Sequence, residues 1–355
     1  MNNAIAMERG ALKGSKVKSV FRRYGTALLF LAPFLVAFIC FFIIPLVYGV
    51  KISLSDFRFS APGEATYNSF KWYRIIFGDP SISLSAKLSA NFWKSFANSF
   101  FFSLIMVPIA VLLPLGLAIL VNIKPPGYKA FRAMIYLPSI VPLTASGTIF
   151  MLFFLSKSQH GLINEFFNLD IHWFDDSWFK FNIGSYTVDV PYAWIPIFLM
   201  CLWGGWGSNF IILSAGLQNV PKSLYEAASM DGCSSLKKIG AVTIPGIKGQ
   251  LVLCLFTTII GYLGLYGQNY VLSNGGPKAT TLPGSGQTTT IIYFIQDIVA
   301  NNTNFKDTIY GLGAASSIVY AILVGCISGF QMWCTREKKS GNKYSEEFRK
   351  WQRIK

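Results

Sequence analysis

Residues Asn219 to Pro245 read NVPKSLYEAASMDGCSSLKKIGAVTIP, the longest stretch of the chain that looks neither like a membrane span nor like a loose tail. Pro221 suits the first turn of a helix along which Leu224, Tyr225, Ala228 and Met230 supply an apolar side, with Glu226 beside it. Gly232 stops that helix. Ser234 is placed to cap a second short helix carrying Leu236, Ile239 and Val242, and Pro245 ends it by withholding a backbone donor. A helix, a glycine turn and a helix therefore lie between two apolar runs.

Those runs set the class. Of 355 residues, 52% are apolar and only 13% charged, with a mean hydropathy of +0.45, which is too little charge to cover a soluble surface of that size. Six segments reach the length of about 20 residues that a bilayer-crossing helix needs. They are roughly Thr26 to Val50, Phe100 to Val121, Ala133 to Leu155, Tyr192 to Gly216, Leu251 to Leu272 and Gly311 to Trp333, and none contains Asp, Glu, Lys, Arg or His. The expected fold is an all-α polytopic membrane protein with six transmembrane helices in residues 26–334, between a basic segment 1–25 and a basic tail 335–355. The first apolar run is too long for a signal peptide and no small-residue cleavage site follows, so it is expected to stay as a span.

With the N-terminus inside, the inner segments hold 21 of the 31 Lys and Arg residues and the outer segments 10, while the 16 carboxylates divide as 6 inside and 10 outside. The positive-inside rule thus places both termini in the cytoplasm, and the whole net charge of +15 falls on one face. A soluble protein with that charge would suggest nucleic acid. Here membrane orientation and contact with anionic lipid account for it, and no nucleic-acid partner is expected.

The six cysteines, at 40, 201, 233, 254, 326 and 334, form no CxxC pair, so neither a disulfide nor a metal site is expected. His160 and His172 lie twelve residues apart among the carboxylates of the 156–191 connection, which reads as a solvated outer loop. The 51–94 connection, with Trp72 and Trp93, is expected to include interfacial helical pieces. Pro108 and Pro114 in the second span, and Pro138 and Pro142 in the third, suggest bent helices around an internal path or ordinary packing kinks. After the fifth span, Asn274-Gly275-Gly276-Pro277 signals a turn, and the connection containing Gly284, Ser285 and Gly286 is expected to be flexible. The tail, with Phe348 and Trp351, is expected along the inner surface.

The fourth span carries Trp203, Gly204, Gly205, Trp206, Ser208 and Asn209 near its middle, and the fifth carries Thr257, Thr258, Gly261, Tyr262, Gln268, Asn269 and Tyr270. Small residues let helices pack closely. The same mixture of glycine, hydroxyl, amide and aromatic groups at mid-membrane depth also suits a site for a polyhydroxy compound. Both readings stand on the residues alone.

No Asp, Glu, Lys, Arg or His lies in the spans to couple transport to protons or sodium. No phosphate-binding loop of the form GxxxxGK[ST] is present, and no nucleophile, base and carboxylate grouping suggests an enzyme. A pump built on this chain takes its energy from another polypeptide, and the stretch at 219–245 is the ordered cytoplasmic element that can receive it. Glu226 is suited to a charge-assisted contact with a partner arginine, or simply to water at an early helical position.

Glu226-Ala227-Ala228, three residues, Gly232, nine residues and Val242-Thr243-Ile244-Pro245 resemble the EAA signature of permease subunits of ATP-binding-cassette importers. That signature usually has Ile and Leu where this chain has Val242 and Ile244, and both changes keep apolar bulk. FLAPFLVAFICFFIIPLVYGVKISLSDF in the first span, FRAMIYLPSIVP at the third, GLQNVPKSLYEAASMDG and LSNGGP are similar to carbohydrate permeases of the maltose and glycerol-phosphate type, from about residue 28 to residue 335. The resemblance implies a type I ABC importer permease core. It implies pairing with a second permease subunit, two nucleotide-binding ATPase subunits that hold ATP and magnesium, and an extracytoplasmic solute-binding protein, all in a bacterial-type cytoplasmic membrane. No cofactor is expected on this chain. Carried over by position, Glu226 contacts the ATPase, Gly232 allows the turn, Ala227 and Ala228 permit close approach, and Asp231 and Pro245 complete the coupling set. The family also places substrate contacts on the spans flanking this loop, which by depth selects Gly204, Gly205, Ser208, Asn209, Thr258, Gly261 and Tyr262. The alternatives are a gradient-driven transporter or channel acting alone, and an importer permease for a solute that is not a carbohydrate.

Overall fold

The computed structural model describes residues 25, 29–58, 60–82, 85–183, 186–277, 282–300 and 309–335. The expected paths of the N-terminal segment and of the tail with Phe348 and Trp351 lie outside them.

Among the described residues four helices are long and apolar enough to cross a membrane, and two bent pairs bring the number up to six when each pair is counted as one span. The first, α1 (Leu29–Ser53), contains a π turn at Ile39–Ile43, where the N–H of Ile44 reaches back five residues to the Ile39 carbonyl. Pro45 follows at once. A proline cannot donate to the carbonyl four residues back, and a widened turn lets the helix continue past it. A short helix α2 (Lys71–Ile76) follows. Trp72 on it is buried and donates its indole N–H to the Ser55 carbonyl at 2.9 Å, so this piece packs into the protein where an interfacial tryptophan was expected.

Helix α3 (Ser85–Asn122) has 38 residues and begins 15 positions before the expected span. At 1.5 Å per residue it is about 57 Å long, against a hydrocarbon core of about 30 Å. Its extra turns carry a polar stripe that grips the 283–291 segment. Asn91 Nδ2 donates to the Pro283 carbonyl at 2.9 Å, Lys94 Nζ to Ser285 at 2.8 Å, and Asn98 Nδ2 to Gln287 and Thr289, both at 2.9 Å. Ser99 Oγ accepts the Ile291 N–H at 2.9 Å. This corrects the expectation of a flexible connection around Gly284 to Gly286: the described part is strapped to α3, and Gly284 N–H donates to Asp297 at 3.0 Å.

The third span is broken. Helix α4 (Tyr128–Tyr136) runs through a 3-10 turn at Leu137–Ile140 into α5 (Leu143–Phe153), with a bend of 94° across the break. Pro138 opens the 3-10 turn and Pro142 occupies the N-cap of α5, so the two prolines mark a re-aimed segment, more than a packing kink. Helix α6 (Leu162–Phe166) and an antiparallel hairpin of β1 (Ser177–Ile183) and β2 (Tyr186–Pro191) follow. Among the described residues the hairpin is the one pair of strands, beside a single isolated antiparallel bridge between Ser55 and Tyr67.

Helix α7 (Trp194–Gln218) leads into α8 (Lys222–Met230) and α9 (Ser235–Gly246), and α10 (Lys248–Leu263) turns away from α9 by 75°. Helix α9 ends at Gly246, one residue beyond Pro245, where its end was expected. A π turn at Ile239–Thr243, with Ile244 N–H bonded to Ile239, precedes the proline at the same spacing as in α1. The fifth span likewise stops at Leu263, and α11 (Gly267–Ser273) resumes beyond a break at Gly264. Helices α12 (Ile291–Ala300) and α13 (Tyr310–Thr335) complete the chain.

Three apolar clusters hold the bundle. One gathers Trp72, Phe92, Phe294, Ile298 and Leu312; a second Phe102, Met106, Ile197, Met200 and Leu265; a third Leu115, Phe210, Leu213, Leu217 and Ile247, against which Tyr225 and Val242 pack. The third cluster seats the 219–245 stretch directly on the membrane helices.

Candidate functional site

Helix α8 turns Tyr225 and Ala228 inward. The Tyr225 hydroxyl is 3.1 Å from Thr243 Oγ1, and Ala228 is buried. Met230, expected on the same apolar side, lies about 200° around the helix from Ala228 and faces outward, while Leu224, one turn before Ala228, is half exposed at the edge of the buried face. Asp231 ends the helix, and Gly232 follows at φ +70°, a conformation that glycine adopts without strain. Cys233 N–H closes the turn on the Ala228 carbonyl at 3.0 Å. Ser234 occupies the N-cap of α9, but its side chain makes no capping bond. Lys238 Nζ instead bridges back to Ser229 Oγ at 2.7 Å and locks the two helices together.

The outer face of this unit is unsatisfied. Glu226, Ala227, Asp231 and Pro245 are exposed, and the Glu226 carboxylate has no hydrogen-bond or ion-pair partner among the described residues. Met230 is 89% and Leu236 81% exposed beside it, which is more apolar surface than a loop in water ordinarily presents.

Within the membrane region two cavities adjoin. One, of about 390 Å³, is lined by Gly205, Ser208, Asn209, Thr258, Gly261 and Tyr262, together with Thr257 and the stretch from Gly264 to Gln268. The other, of about 180 Å³, lies against Gly204, Gly205, Met200, Cys201 and Tyr262 on one side and Ser139 and Ser146 on the other. Gly205, Tyr262 and Gln268 belong to both. Tyr262 lies over Gly205, where a Cβ would come 2.6 Å from its hydroxyl, which donates to the Cys201 carbonyl at 3.4 Å. Its ring meets Phe102 edge-on at 5.7 Å.

Every span residue selected at mid-membrane depth thus lines one or both cavities, but the members differ in what they can offer. Asn209 uses both amide protons inside the protein, on the Ala110 carbonyl at 2.8 Å and Thr258 Oγ1 at 2.9 Å. Ser208 is exposed and Gln268 half-buried, and neither side chain is hydrogen-bonded within the described residues. Asn269 turns away and bonds to the Thr288 carbonyl at 2.6 Å.

Residues 80–336 match the family model described as binding-protein-dependent transport system inner membrane component. The chain belongs to that family. The permease is 28% identical over 317 residues, 88% of either chain, to the arabinooligosaccharides transport system permease protein AraP of Halalkalibacterium halodurans. It is 30% identical over 251 residues to the lactose transport system permease protein LacF of Rhizobium radiobacter, covering 70% of this chain and 77% of that one. With the trehalose/maltose transport system permease protein MalF of Thermococcus litoralis it shares 28% over 314 residues, 87% and 92% of the two chains. Its fold is that of a solved bacterial ABC transporter involved in the import of the acidic polysaccharide alginate, with a TM-score of 0.66 at 16% identity over 90% of this chain and 98% of that one. The permease is a multi-pass membrane transport subunit, not an enzyme.

Ser139 and Ser146 escaped the reading of the sequence. The Pro138 and Pro142 pair was the signal for them, because a broken span brings residues on either side of the break to the cavity.

Proposed function

We propose that the permease forms half of the translocation pathway of an ATP-driven, binding-protein-dependent importer of sugars or oligosaccharides, and couples to an ATPase through 219–245. The observation that carries this reading is continuity. Helices α7 and α10 line the cavities at mid-membrane depth, and the cytoplasm-side ends of the same two helices hold the coupling loop with its free carboxylate and exposed methionine. Movement of the loop therefore moves the cavity wall. The saccharides in the names of its relatives agree with a wall of hydroxyl, amide and aromatic groups.

In this reading a second permease subunit pairs with this chain, and two ATPase subunits hold ATP and magnesium on the cytoplasmic side. A solute-binding protein delivers cargo from outside, and both termini lie in the cytoplasm of a bacterial-type cell. Closure of the ATPase pair pulls on the coupling helices and rocks the permeases between inward-open and outward-open states. Glu226, Ala227, Ala228, Asp231, Gly232 and Pro245 form the contact, and Gly204, Gly205, Ser208, Gly261 and Tyr262 face the path. Proteoliposomes test the whole: saccharide uptake requires ATP inside and all partner subunits, whereas gradient-driven uptake by this chain alone overturns the proposal.

A further inference from the structure

The connection between the third and fourth spans carries a surface that neither the transport path nor the coupling loop uses. Helix α5 ends at Phe153, and Phe154 beside it turns inward, its ring edge-on to buried Trp173 at 5.1 Å. Phe153 points the other way. It lines a shallow hollow with Leu162, Ile163, Phe166 and Phe167 of the α6 turn, and the one charged residue of that lining is Glu165. Phe166 is 84% and Phe167 64% exposed, with their rings edge-on at 5.0 Å. At about 150–250 Å² for a phenylalanine, these two alone leave on the order of 300 Å² of apolar surface uncovered, before Leu162 and Phe153 are added.

The fold holds that surface out. Asn164 is fully buried and its side chain is saturated: Nδ2 donates to the carbonyls of Leu155 at 2.9 Å and Ile171 at 2.8 Å, and Oδ1 accepts from the Ile171 N–H at 3.4 Å and Trp173 Nε1 at 3.3 Å. Phe166 stands two residues after Asn164, about 200° around the helix, so fixing one inward fixes the other outward. Gly161 ahead of the helix leaves no slack, because a Cβ there would collide with the Leu155 carbonyl oxygen. The solvated loop expected here thus has one side that water does not suit.

Two observations name what covers it. Ile149, Leu152 and Phe153 are all exposed and stand at i, i+3 and i+4 on α5, so the apolar face of a membrane helix runs without interruption into the hollow. The corner also sits at the span ends opposite the coupling loop, since α7 leaves from Trp194 and reaches that loop at Gln218. Tyr192 there packs edge-on to Trp173 at 5.8 Å and stacks on exposed Trp178 at 6.1 Å, and such aromatic residues collect where headgroups meet acyl chains. The polar edge suits the headgroup layer: His160 Nδ1 lies 2.6 Å from Glu165 Oε1, and Lys157 Nζ donates to Asn168 Oδ1 at 2.8 Å.

We propose that the corner 153–167 is a membrane anchor with lipid as its partner. Phe166 and Phe167 enter the acyl boundary of the leaflet opposite the coupling loop, and Asn164 clamps them in that pose. The end of the broken third span is thereby tied to the bilayer. This stands on the membrane-spanning fold alone, whatever the cargo.

The test puts p-benzoyl-phenylalanine in place of Phe166 in the full chain, in cells that carry its partner subunits. Membranes are irradiated, the chain is purified under denaturing conditions, and its adducts are identified by mass spectrometry. The expected main adduct is membrane phospholipid, at least tenfold above an unirradiated sample. Lipid labelling should fall at least fivefold when Asn164→Leu is added, with the yield of assembled transporter controlling for folding. If that variant does not assemble, Asn164→Asp takes its place, since it keeps the acceptor for Trp173 and loses both donors. A protein subunit as the main adduct, or no adduct above the unirradiated sample, overturns the anchor. Undiminished lipid labelling in the Asn164 variant overturns the clamp.

Discussion

Asn209 on α7 donates to the carbonyl of Ala110 on α3 at 2.8 Å. Pro114 stands four residues after Ala110, so this carbonyl lacks the donor that any other residue at 114 would supply. The second amide proton of Asn209 goes to Thr258 on α10 at 2.9 Å, and three spans are thereby tied at one buried point. Asn209 and Thr258 looked like cargo contacts in the sequence, and both line the larger cavity, but their polar groups are engaged in holding the wall together. Replacing Asn209 by Leu leaves a buried carbonyl without a donor and should destabilise the permease by about 1–3 kcal/mol. Pro114→Ala restores the helical donor and should recover part of that loss in the double variant. Thermal unfolding of the purified complex measures both, and a double variant no more stable than Asn209→Leu alone would argue against the pairing.

The coupling loop gives a second expectation. A charge-assisted hydrogen bond is worth about 1.5–3 kcal/mol, which is roughly 10- to 100-fold in an association constant. Glu226→Ala should weaken co-purification of the ATPase by that factor and lower uptake in parallel, with membrane insertion unchanged. Met230→Lys should act in the same direction, because it places a charge in the exposed apolar patch. Unaltered ATPase binding in both variants would remove the loop from the interface.

Two neighbouring glycines make a paired test of the cavity wall. At Gly205 a methyl group would come 2.6 Å from the Tyr262 hydroxyl, while at Gly204 it would meet nothing within 4 Å. Gly205→Ala must therefore swing Tyr262 out of its place, and uptake should fall about tenfold with thermal stability shifted by less than about 1.5 kcal/mol. Gly204→Ala should leave uptake within twofold. Equal effects at the two positions would mean that Tyr262 does not shape the path.

Six spans and the helix-turn-helix at 219–245 were legible because each depends on local composition: an apolar run, a glycine, a proline. The breaks in the third and fifth spans were only half legible. Proline marked the first, whereas the interruption after Leu263 comes where Gly267 packs against Leu143 of another span, a contact that no local pattern announces. The hairpin had a signal that went unused, an alternation of aromatic and β-branched residues in SWFKFNI and YTVDVP. At the cavity, residue type was legible but allocation was not. Nothing within the fourth span says that Asn209 is needed by a proline on the second.

The strap between α3 and the 283–291 segment was illegible for the same reason, since its partners lie about 190 positions apart, and it supplies the last expectation. Asn98 donates to two carbonyls at once, and the neighbouring Thr288, Thr289 and Thr290 are buried. Glycine-rich chain holds a single path only when its backbone groups are fixed from outside, and here α3 fixes them. Asn98→Leu is nearly the same size, removes both donors and should release the segment without opening a void. Amide exchange in 283–291 should then rise by roughly one to two orders of magnitude, matching the loss of about 1–3 kcal/mol of local protection. Exchange in α8 and α9 should not change, because the coupling loop packs on a separate apolar cluster with Leu213, Leu217 and Ile247. A rise in both regions would mean that Asn98 supports the bundle as a whole, and no rise in either would mean that the segment is held by its own turns.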